Sequence, residues 1–310
     1  MATGMNTVPG DSRRGGDSAA AGSGPRFGAN TFIWRSPFTT ASDLDLVGHA
    51  AELGAEVLEV AVEELDLVDG AALRAELDRH GIGAAVCGAF GPGRDVGSAD
   101  RAVAESTKAY VVGLMDLAVT LGARVICGPI YGSVGLARRL PPDERSAEFD
   151  RVAASLRELA QEATGRGVVL ALEVLNRFET DRLNTVEQGL KLCDAVGSDA
   201  VGLHLDTFHM HLEEKDSPDA VRRAGQRLYH LHASENDRGV PGTGQVAWRS
   251  IMAVLADGAY AGDIIIESFT PEVESIAAAV ALWREVAPDQ DSIVRDGLRF
   301  LRGAWAAGGG

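Results

Sequence analysis

The chain has 310 residues, 45% of them hydrophobic, which is enough for a sizeable core in one large domain or two small ones. Its formal net charge of -16 argues against nucleic-acid binding, because an acidic surface repels phosphate groups. No apolar run approaches the length of about 18 residues that a membrane-spanning helix needs, so we expect no membrane partner.

The N-terminal segment and the cysteines are the first features along the chain. Residues 1–25 are rich in Gly, Ser and Ala and lack the apolar stretch of a secretory signal, so they predict a flexible tail. Cys87, Cys127 and Cys193 are odd in number and far apart. This usage argues against a disulfide framework and favours a reducing cytoplasm as the location.

Eight short apolar runs of strand length then recur along the chain. They cover residues 26–34, 55–62, 81–88, 123–130, 167–175, 200–207, 227–234 and 263–269. The runs are apolar almost without interruption, which is typical of parallel strands that are covered on both faces.

Helical stretches separate the runs and carry recognisable end signals. Ser42 and Ser98 are the expected starts of two helices, Asn184 with Glu187 resembles a capping box, and Gly122 and Gly197 are expected helix ends. Eight strand–helix units predict a (β/α)8 TIM barrel as a single domain over residues 26–303, followed by a C-terminal tail over 304–310. A doubly wound open sheet is the alternative, but no G-x-G-x-x-G follows the first run.

The last four runs each end on a residue of metal-ligand type. These residues are Glu173, Asp206, His232 and Glu267, separated by 33, 26 and 35 residues, about one strand–helix unit each. In a barrel the carboxyl ends of the strands meet at one face, so the four side chains should converge there. Three carboxylates and one imidazole suit Mn2+, Co2+ or Mg2+. Any one of them alone would be read as a solvated strand end.

Histidines are concentrated around the same four runs, and one further carboxylate lies on an early run. Five of the seven histidines lie between residues 204 and 232. The strand period places His204 and His230 one layer below the metal residues, as supports for these or as hydrogen-bonded core residues. His209 follows Asp206 in a loop that reaches over the mouth. Glu59, on the second run, lies either near the site, low in the barrel or at its rim.

Four segments carry a resemblance to a known family. "LEVLNRFE", "LDTFHM", "SENDRGVPGTGQVAW" and "IIIESF" resemble the ketose 3-epimerases, which include D-tagatose 3-epimerase and D-psicose (D-allulose) 3-epimerase. These enzymes belong to a larger group with a xylose-isomerase-like TIM barrel. The similarity covers nearly all of residues 26–302 and is densest over 167–269.

The resemblance implies a role for each matched residue. It implies that Glu173, Asp206, His232 and Glu267 bind Mn2+ or Co2+, and that Glu173 and Glu267 are also the two acid–base groups. By the same resemblance, His209, Arg238 and Glu179 bind the substrate, the first two near O2 of the ketose. A homodimer or homotetramer is implied in the same way.

The implied reaction is epimerisation of a free ketose at C3, through a cis-enediolate. One carboxylate removes the C3 proton and the other returns it to the opposite face, while a cation and the donors His209 and Arg238 stabilise the developing charge. The chain departs from the family at Asn30, where an aromatic residue is frequent. It departs again at Tyr131 and Val134, in a loop where some members have a tryptophan. The choice of ketose is therefore less constrained than the reaction.

Three alternatives remain open at this point. The same barrel supports an aldose–ketose isomerase, a hydroxypyruvate isomerase or an inosose dehydratase, and the Asn176-Arg177-Phe178-Glu179 element favours the epimerase over these. A DNA-repair enzyme of the endonuclease IV type should have a basic face and histidines on the early strands, whereas the first four runs contain no histidine. A sugar-binding barrel without catalysis would not need two opposed carboxylates.

Overall fold

The computed structural model describes residues 24–308, so nearly all of the predicted N-terminal tail lies outside the described residues. All eight apolar runs form strands. They are β1 (Phe27–Asn30), β2 (Val57–Val62), β3 (Gly83–Gly88), β4 (Val125–Gly128), β5 (Val169–Val174), β6 (Val201–Asp206), β7 (Leu228–His232) and β8 (Ile264–Ile266).

The strands close into a parallel barrel. Each strand pairs with the next in sequence, and β1 pairs with β8 through the register Gly28 to Ile265, which completes the ring. Almost every strand residue is buried, as expected where helices cover one face and barrel side chains fill the other. The predicted (β/α)8 barrel is confirmed, and the open doubly wound sheet is excluded by the pairing of β1 with β8.

Helices cover the outside of the barrel. They are α1 (Asp45–Glu52), α2 (Gly70–His80), α3 (Arg101–Leu121), α4 (Pro142–Arg166), α5 (Val186–Val196), α6 (Thr207–Glu213), α7 (Ser217–Ala224), α8 (Trp248–Asp257), α9 (Glu274–Ala279) and α10 (Gln290–Gly308). The last helix continues beyond residue 303, into the segment for which the sequence predicts a C-terminal tail. None of the helices within residues 24–308 is long and apolar enough to cross a membrane.

The predicted helix ends are correct and the predicted starts are wrong. Gly122 and Gly197 end α3 and α5 with φ of 67° and 70°, a backbone conformation that glycine adopts without steric cost. The expected start at Ser42 is wrong, because α1 begins at Asp45 after Leu44, which makes no side-chain cap.

The other two starts lie close to the predicted positions. Ser98 does not cap α3, because the carboxylate of Asp100 accepts from the N–H of Ala102 instead. The capping box of α5 is formed by Thr185 and Gln188, one residue after the predicted pair. Asn184 instead donates its amide hydrogens to the carbonyls of Leu175 and Thr180, which fixes the end of the loop after β5.

A cluster of partly buried ion pairs holds the loops after β3 and β5 against α4. Arg182 Nη1 donates to Asp95 Oδ1 at 2.6 Å, and its Nη2 donates to Glu148 Oε1 at 2.8 Å. Arg138, in the loop after β4, pairs with Asp181 at 3.0 Å. Three loops at the carboxyl face of the barrel are therefore tied together by charge-assisted hydrogen bonds, which limits their movement around the mouth.

Candidate active site

Four residues that the sequence places at strand ends meet at the carboxyl face of the barrel. Glu173, Asp206, His232 and Glu267 each offer one ligand atom, and these atoms lie within 4.8 Å of one another. All four side chains are buried, with exposed fractions between 0% and 6%. The structure thus brings together the complete predicted set from β5, β6, β7 and the end of β8.

His232 lies between two groups of carboxylates. Its Nε2 is 2.7 Å from Glu59 Oε1, on the side facing the barrel floor. Its Nδ1 is 3.3 Å from Glu267 Oε1 and 3.9 Å from Asp206 Oδ2, and makes no hydrogen bond within residues 24–308. Burial lowers the pKa of His232, but the charges of Glu59 and Glu267 outweigh it and raise that pKa well above its usual value.

The three carboxylates differ in their affinity for protons. Burial and the nearby charge of Glu267 raise the pKa of Glu173 well above its usual value. Burial raises the pKa of Asp206 to about 6, against the charge of Arg238. Burial also acts on Glu267, but the charges of His232 and Arg238 dominate and lower its pKa to about 2. In the metal-free chain Glu173 therefore binds a proton more readily than Glu267, which is ionised.

His209 reaches the cluster from α6, directly after β6. Its Nδ1 is 3.2 Å from the backbone N–H of Asn176 and 2.8 Å from the Asn176 side-chain nitrogen. Since both partners are donors, Nδ1 acts as the acceptor and Nε2 carries the hydrogen. Burial and the charge of Arg238 lower the pKa of His209 well below its usual value, so the ring is neutral. Its Nε2–H lies 3.6 Å from Glu173 Oε1.

Arg238 approaches from the loop after β7. Its Nη1 donates to Glu267 Oε2 at 2.5 Å and to Asp206 Oδ2 at 3.1 Å. Its guanidinium lies over the ring of Phe208, 4.2 Å from the centroid, and 5.0 Å from the centroid of Phe269. Arg238 itself has a φ of 64°, an uncommon value for a residue with a side chain. The charge is thus held rigidly at the site by stacking and ion pairing.

Glu179 lies at the edge of this group, partly exposed. Asn176 Nδ2 donates to Glu179 Oε1 at 2.8 Å, so one amide contacts both His209 and Glu179. Burial raises the pKa of Glu179, and the charge of Arg238 opposes the shift. Seven residues that the sequence singles out, together with Asn176, therefore form one continuous constellation at the mouth.

A second polar layer lies beneath the four ligand-type residues. Glu59 is fully buried, and its carboxylate contacts Asn30, Cys127, His230 and His232. Burial would raise the pKa of Glu59, but the charges of His232 and His230 lower it well below its usual value. The sequence left the position of Glu59 open. Glu59 is the lone carboxylate of β2, as Glu173 is of β5, and this shared feature is the signal that could have placed it.

The two deeper histidines differ in what they contact. His230 Nε2 lies 2.5 Å from Glu59 Oε2. The ring of His204 packs edge-to-face on that of His232, with centroids 4.0 Å apart, and neither of its nitrogens has a hydrogen-bond partner in the described part of the chain. Burial lowers the pKa of His204 well below its usual value, so it acts as a neutral packing group.

Glu235 is a functional candidate that the sequence reasoning missed. It is fully buried, and its two oxygens accept hydrogen bonds from the N–H groups of Asn236, Gly242 and Val246 and from Trp248 Nε1. Burial would raise its pKa, but these hydrogen bonds lower it. A carboxylate that organises a loop has no sequence signal beyond its place after a strand.

The departures from the family have structural consequences. Asn30 Nδ2 donates to Glu59 Oε1 at 2.7 Å, so this residue belongs to the deeper polar layer. Tyr131 is buried at 1% exposure, and Val134 is half-buried with its N–H donated to the carbonyl of Phe90. Neither Tyr131 nor Val134 therefore presents an exposed aromatic ring at the mouth, as a tryptophan in this loop could.

The comparisons with known proteins agree with this geometry. The family model described as "Xylose isomerase-like TIM barrel" matches residues 47–304. A probable ketose 3-epimerase of Synechocystis sp. is 33% identical, over 89% of this chain and 96% of that protein. An L-ribulose 3-epimerase of Mesorhizobium japonicum is 32% identical, over 89% and 93%. A D-allulose 3-epimerase structure from Methylomonas sp., in complex with D-allulose, superimposes with a TM-score of 0.85 at 29% identity, over 91% and 97%. The chain therefore belongs to the ketose 3-epimerase family, within the xylose isomerase-like TIM barrels.

Proposed function

We propose that this chain is a metal-dependent ketose 3-epimerase that inverts C3 of free ketoses. The pairs D-fructose/D-allulose, D-tagatose/D-sorbose and L-ribulose/L-xylulose are the proposed substrates, in line with the names of its relatives. The observation that carries the proposal is the convergence of two buried glutamates, Glu173 and Glu267, beside the donor pair His209 and Arg238.

The four-residue cluster fits a divalent cation. His232 Nδ1 is buried without a hydrogen-bond partner in the described chain and faces two carboxylates, as a ligand nitrogen would. Oxygen and imidazole donors suit Mn2+, Co2+ or Mg2+, and Glu173, Asp206, His232 and Glu267 would hold the ion. When bound, such a cation supplies positive charge that stabilises negative charge developing on the sugar oxygens.

The two glutamates would move the proton at C3. They come from β5 and β8, which are separated by β6 and β7 in the closed barrel, so they can approach a bound sugar from different sides. Each carboxylate has two oxygens, so it could hold the cation through one of them and exchange a proton through the other. Glu173 would take the proton from one epimer and Glu267 from the other, with the roles of acid and base exchanged between directions.

The donor pair would hold the carbonyl oxygen of the ketose. His209 Nε2 and Arg238 Nη2 are 3.5 Å apart. Two donors side by side need an acceptor between them, and the O2 oxygen of a ketose supplies one. Because both groups are buried, their interaction with a developing negative charge is stronger than it would be in water. Glu179, at the rim, would accept hydrogen bonds from hydroxyls farther along the sugar.

The proposal is tested with a panel of D-tagatose, D-fructose, D-allulose and L-ribulose, incubated in heavy water with added Mn2+ and followed by NMR. We expect deuterium at C3 of both epimers, loss of exchange on chelation, and recovery with Mn2+ or Co2+. Exchange confined to C1 would support an aldose–ketose isomerase instead. Binding without exchange would support a sugar-binding barrel, and full activity after metal removal would contradict the proposal. A homodimer or homotetramer, and a cytoplasmic location, stay predictions.

A further inference from the structure

The carboxylate of Glu59 lies at the centre of the polar layer below the cluster. Its Oε1 accepts from Asn30 Nδ2 at 2.7 Å and is 2.7 Å from His232 Nε2. Its Oε2 accepts from Cys127 Sγ at 3.1 Å and is 2.5 Å from His230 Nε2. Glu59 is 0% exposed, so these four groups replace the water that an ionised carboxylate would otherwise bind.

These contacts determine which ring nitrogen of His232 carries a hydrogen. An ionised carboxylate only accepts hydrogen bonds, so the Nε2 that faces Glu59 must carry a hydrogen. The nitrogen that remains for a cation is Nδ1, and this is the atom that faces Glu267 and Asp206. The ring of His204 packs against the same ring in a T-shaped arrangement, with the centroids 4.0 Å apart.

We propose that Glu59 is a positioning residue for the cation site: it fixes the orientation and tautomer of His232 so that Nδ1 faces the carboxylates. The inference rests on the proposed function, because it assigns a support to the metal ligand His232. Carboxylates that accept the second N–H of a ligating histidine commonly change metal affinity by about 10- to 100-fold when they are replaced.

A second metal ion among Glu59, Cys127 and His230 is the competing interpretation of the same layer. Two atoms bound to one ion at about 2.0–2.3 Å each lie roughly 3 Å apart or more in tetrahedral geometry. His230 Nε2 and Glu59 Oε2 are 2.5 Å apart, closer than two ligand atoms of one ion would lie. The layer is therefore a hydrogen-bonded support, and we expect one Mn2+ per chain.

The test compares Mn2+ binding by metal-stripped wild-type protein, Glu59→Gln and the matched control Glu63→Gln, with free Mn2+ measured by electron paramagnetic resonance. The glutamine keeps the size of the side chain but presents an N–H2 group to donors. We expect a Kd for Mn2+ about 10- to 100-fold weaker in Glu59→Gln. Glu63, half-buried and bonded to Ser36 outside the site, should leave the Kd unchanged. Equal affinity in Glu59→Gln and wild type would overturn the inference, as would two Mn2+ per chain.

A second measurement uses the wild-type chain, and so decides the question even if Glu59→Gln fails to fold. Nitrogen-15 NMR of labelled histidines, with His232 assigned by its absence in His232→Gln, reports which ring nitrogens carry hydrogen. We expect Nε2–H of His232 in both the metal-free and the Mg2+-loaded protein. A bare Nε2 in the metal-free protein would overturn the inference. Failure of wild-type protein to bind Mn2+, with Nε2–H present, would contradict the proposed function and leave the Glu59 contact standing.

Discussion

The polar residues of the stretch from Leu172 to Thr180 lie in different environments. Glu173 ends β5 inside the carboxylate cluster, while Glu179 lies partly exposed at the rim. Between them, Asn176 contacts both His209 and Glu179, and its Oδ1 accepts from the N–H of Phe178. Arg177 instead points outward to Glu213. One short motif thus combines a buried carboxylate with the turn that orients two substrate-binding candidates.

The first prediction concerns the two acid–base candidates. Glu173→Gln and Glu267→Gln should each lower C3 proton exchange by about a thousandfold, because glutamine cannot accept the proton. The measurement is deuterium incorporation at C3 of D-allulose or L-ribulose with saturating Mn2+. Glu179→Gln is the matched control, in which exchange should persist with a raised KM. Exchange at the wild-type rate in either of the first two variants would contradict the two-carboxylate scheme.

The second prediction concerns Asn176. Asn176→Asp replaces the donor that faces His209 Nδ1 with a carboxylate oxygen, which should move the single hydrogen of the neutral ring from Nε2 to Nδ1 and repel Glu179. We expect kcat/KM to fall on the order of 100-fold, because the Nε2–H donor toward the substrate is lost. Steady-state kinetics on the same ketose provide the measurement.

Its neighbour Arg177 serves as the control. The Arg177 side chain is 64% exposed and pairs with Glu213 at 2.9 Å. The Arg177 side chain donates to Glu213 and to no residue of the site, so Arg177→Gln should stay within about twofold of wild type in kcat/KM. A larger loss in Arg177→Gln than in Asn176→Asp would contradict the assignment of roles within the motif.

At the level of single residues, the sequence predicts which side chains lie at the site, but it does not predict which residues they contact. Glu173, Asp206, His232 and Glu267 could be found because each interrupts or ends an apolar run at a spacing that the barrel converts into proximity. The contacts of Glu59 could not, because its partners Asn30, Cys127, His230 and His232 lie on other strands. Only the register of the closed barrel brings them to one point.

Among the elements, the loop from Glu235 to Ala247 depends most on one side chain. The carboxylate of Glu235 accepts from four N–H groups spread along the loop and at the start of α8. The same loop carries Arg238 to the site, and the carbonyl of Arg238 accepts from Ser268 Oγ at 2.6 Å. The position of the arginine thus follows from the internal hydrogen bonds of the loop.

The third prediction is that Glu235→Gln weakens this loop. Either orientation of the glutamine amide places an N–H2 group against two donors, so buried hydrogen bonds are lost. We expect the free energy of unfolding to fall by about 2–3 kcal/mol. Urea unfolding of the metal-free protein measures it, and Glu272→Gln, with its exposed side chain, is the control. Equal stability of Glu235→Gln and wild type would contradict the organising role of this carboxylate.

Strands could be predicted more reliably than helix starts. A buried strand has a composition that no surface segment shares, so all eight runs were correct. A helix start depends on which of several neighbouring polar residues adopts the capping backbone conformation. Ser98 and Asp100 are both good caps by type, and the structure selects Asp100, while Ser98 Oγ accepts from the N–H of Asp100.

In the whole molecule, an acidic chain folds around a core that concentrates negative charge. The net charge is -16, and four carboxylates, those of Glu59, Glu173, Asp206 and Glu267, lie buried around His232. Arg238 compensates only part of this charge. Without a cation, burial raises the pKa of Glu173 and of Asp206, so ionising these two carboxylates is costly and occupancy should control the stability of the whole barrel.

The fourth prediction is therefore a pH-dependent stabilisation by metal. Burial raises the folded-state pKa of Asp206 to about 6, above its unfolded value. A raised carboxyl pKa means that the folded state binds more protons, so the metal-free protein loses stability as pH rises through about 6. Above that pH the Asp206 carboxylate is ionised, so only protons held by His232 or Glu173 must leave when the cation binds. Below it, the proton on Asp206 competes with the cation as well.

Thermal unfolding with and without Mn2+, at pH 5 and pH 7.5, measures this stabilisation. At a Mn2+ concentration of one hundred times Kd, the gain at pH 7.5 is about 2.7 kcal/mol. For a chain of this length we expect Tm to rise by roughly 5 °C. The rise should shrink at pH 5 and be absent in Asp206→Asn at both pH values. A rise of the same size at both pH values in wild-type protein would mean that the cation binds somewhere other than this carboxylate cluster, since only buried, titrating ligands impose the proton competition.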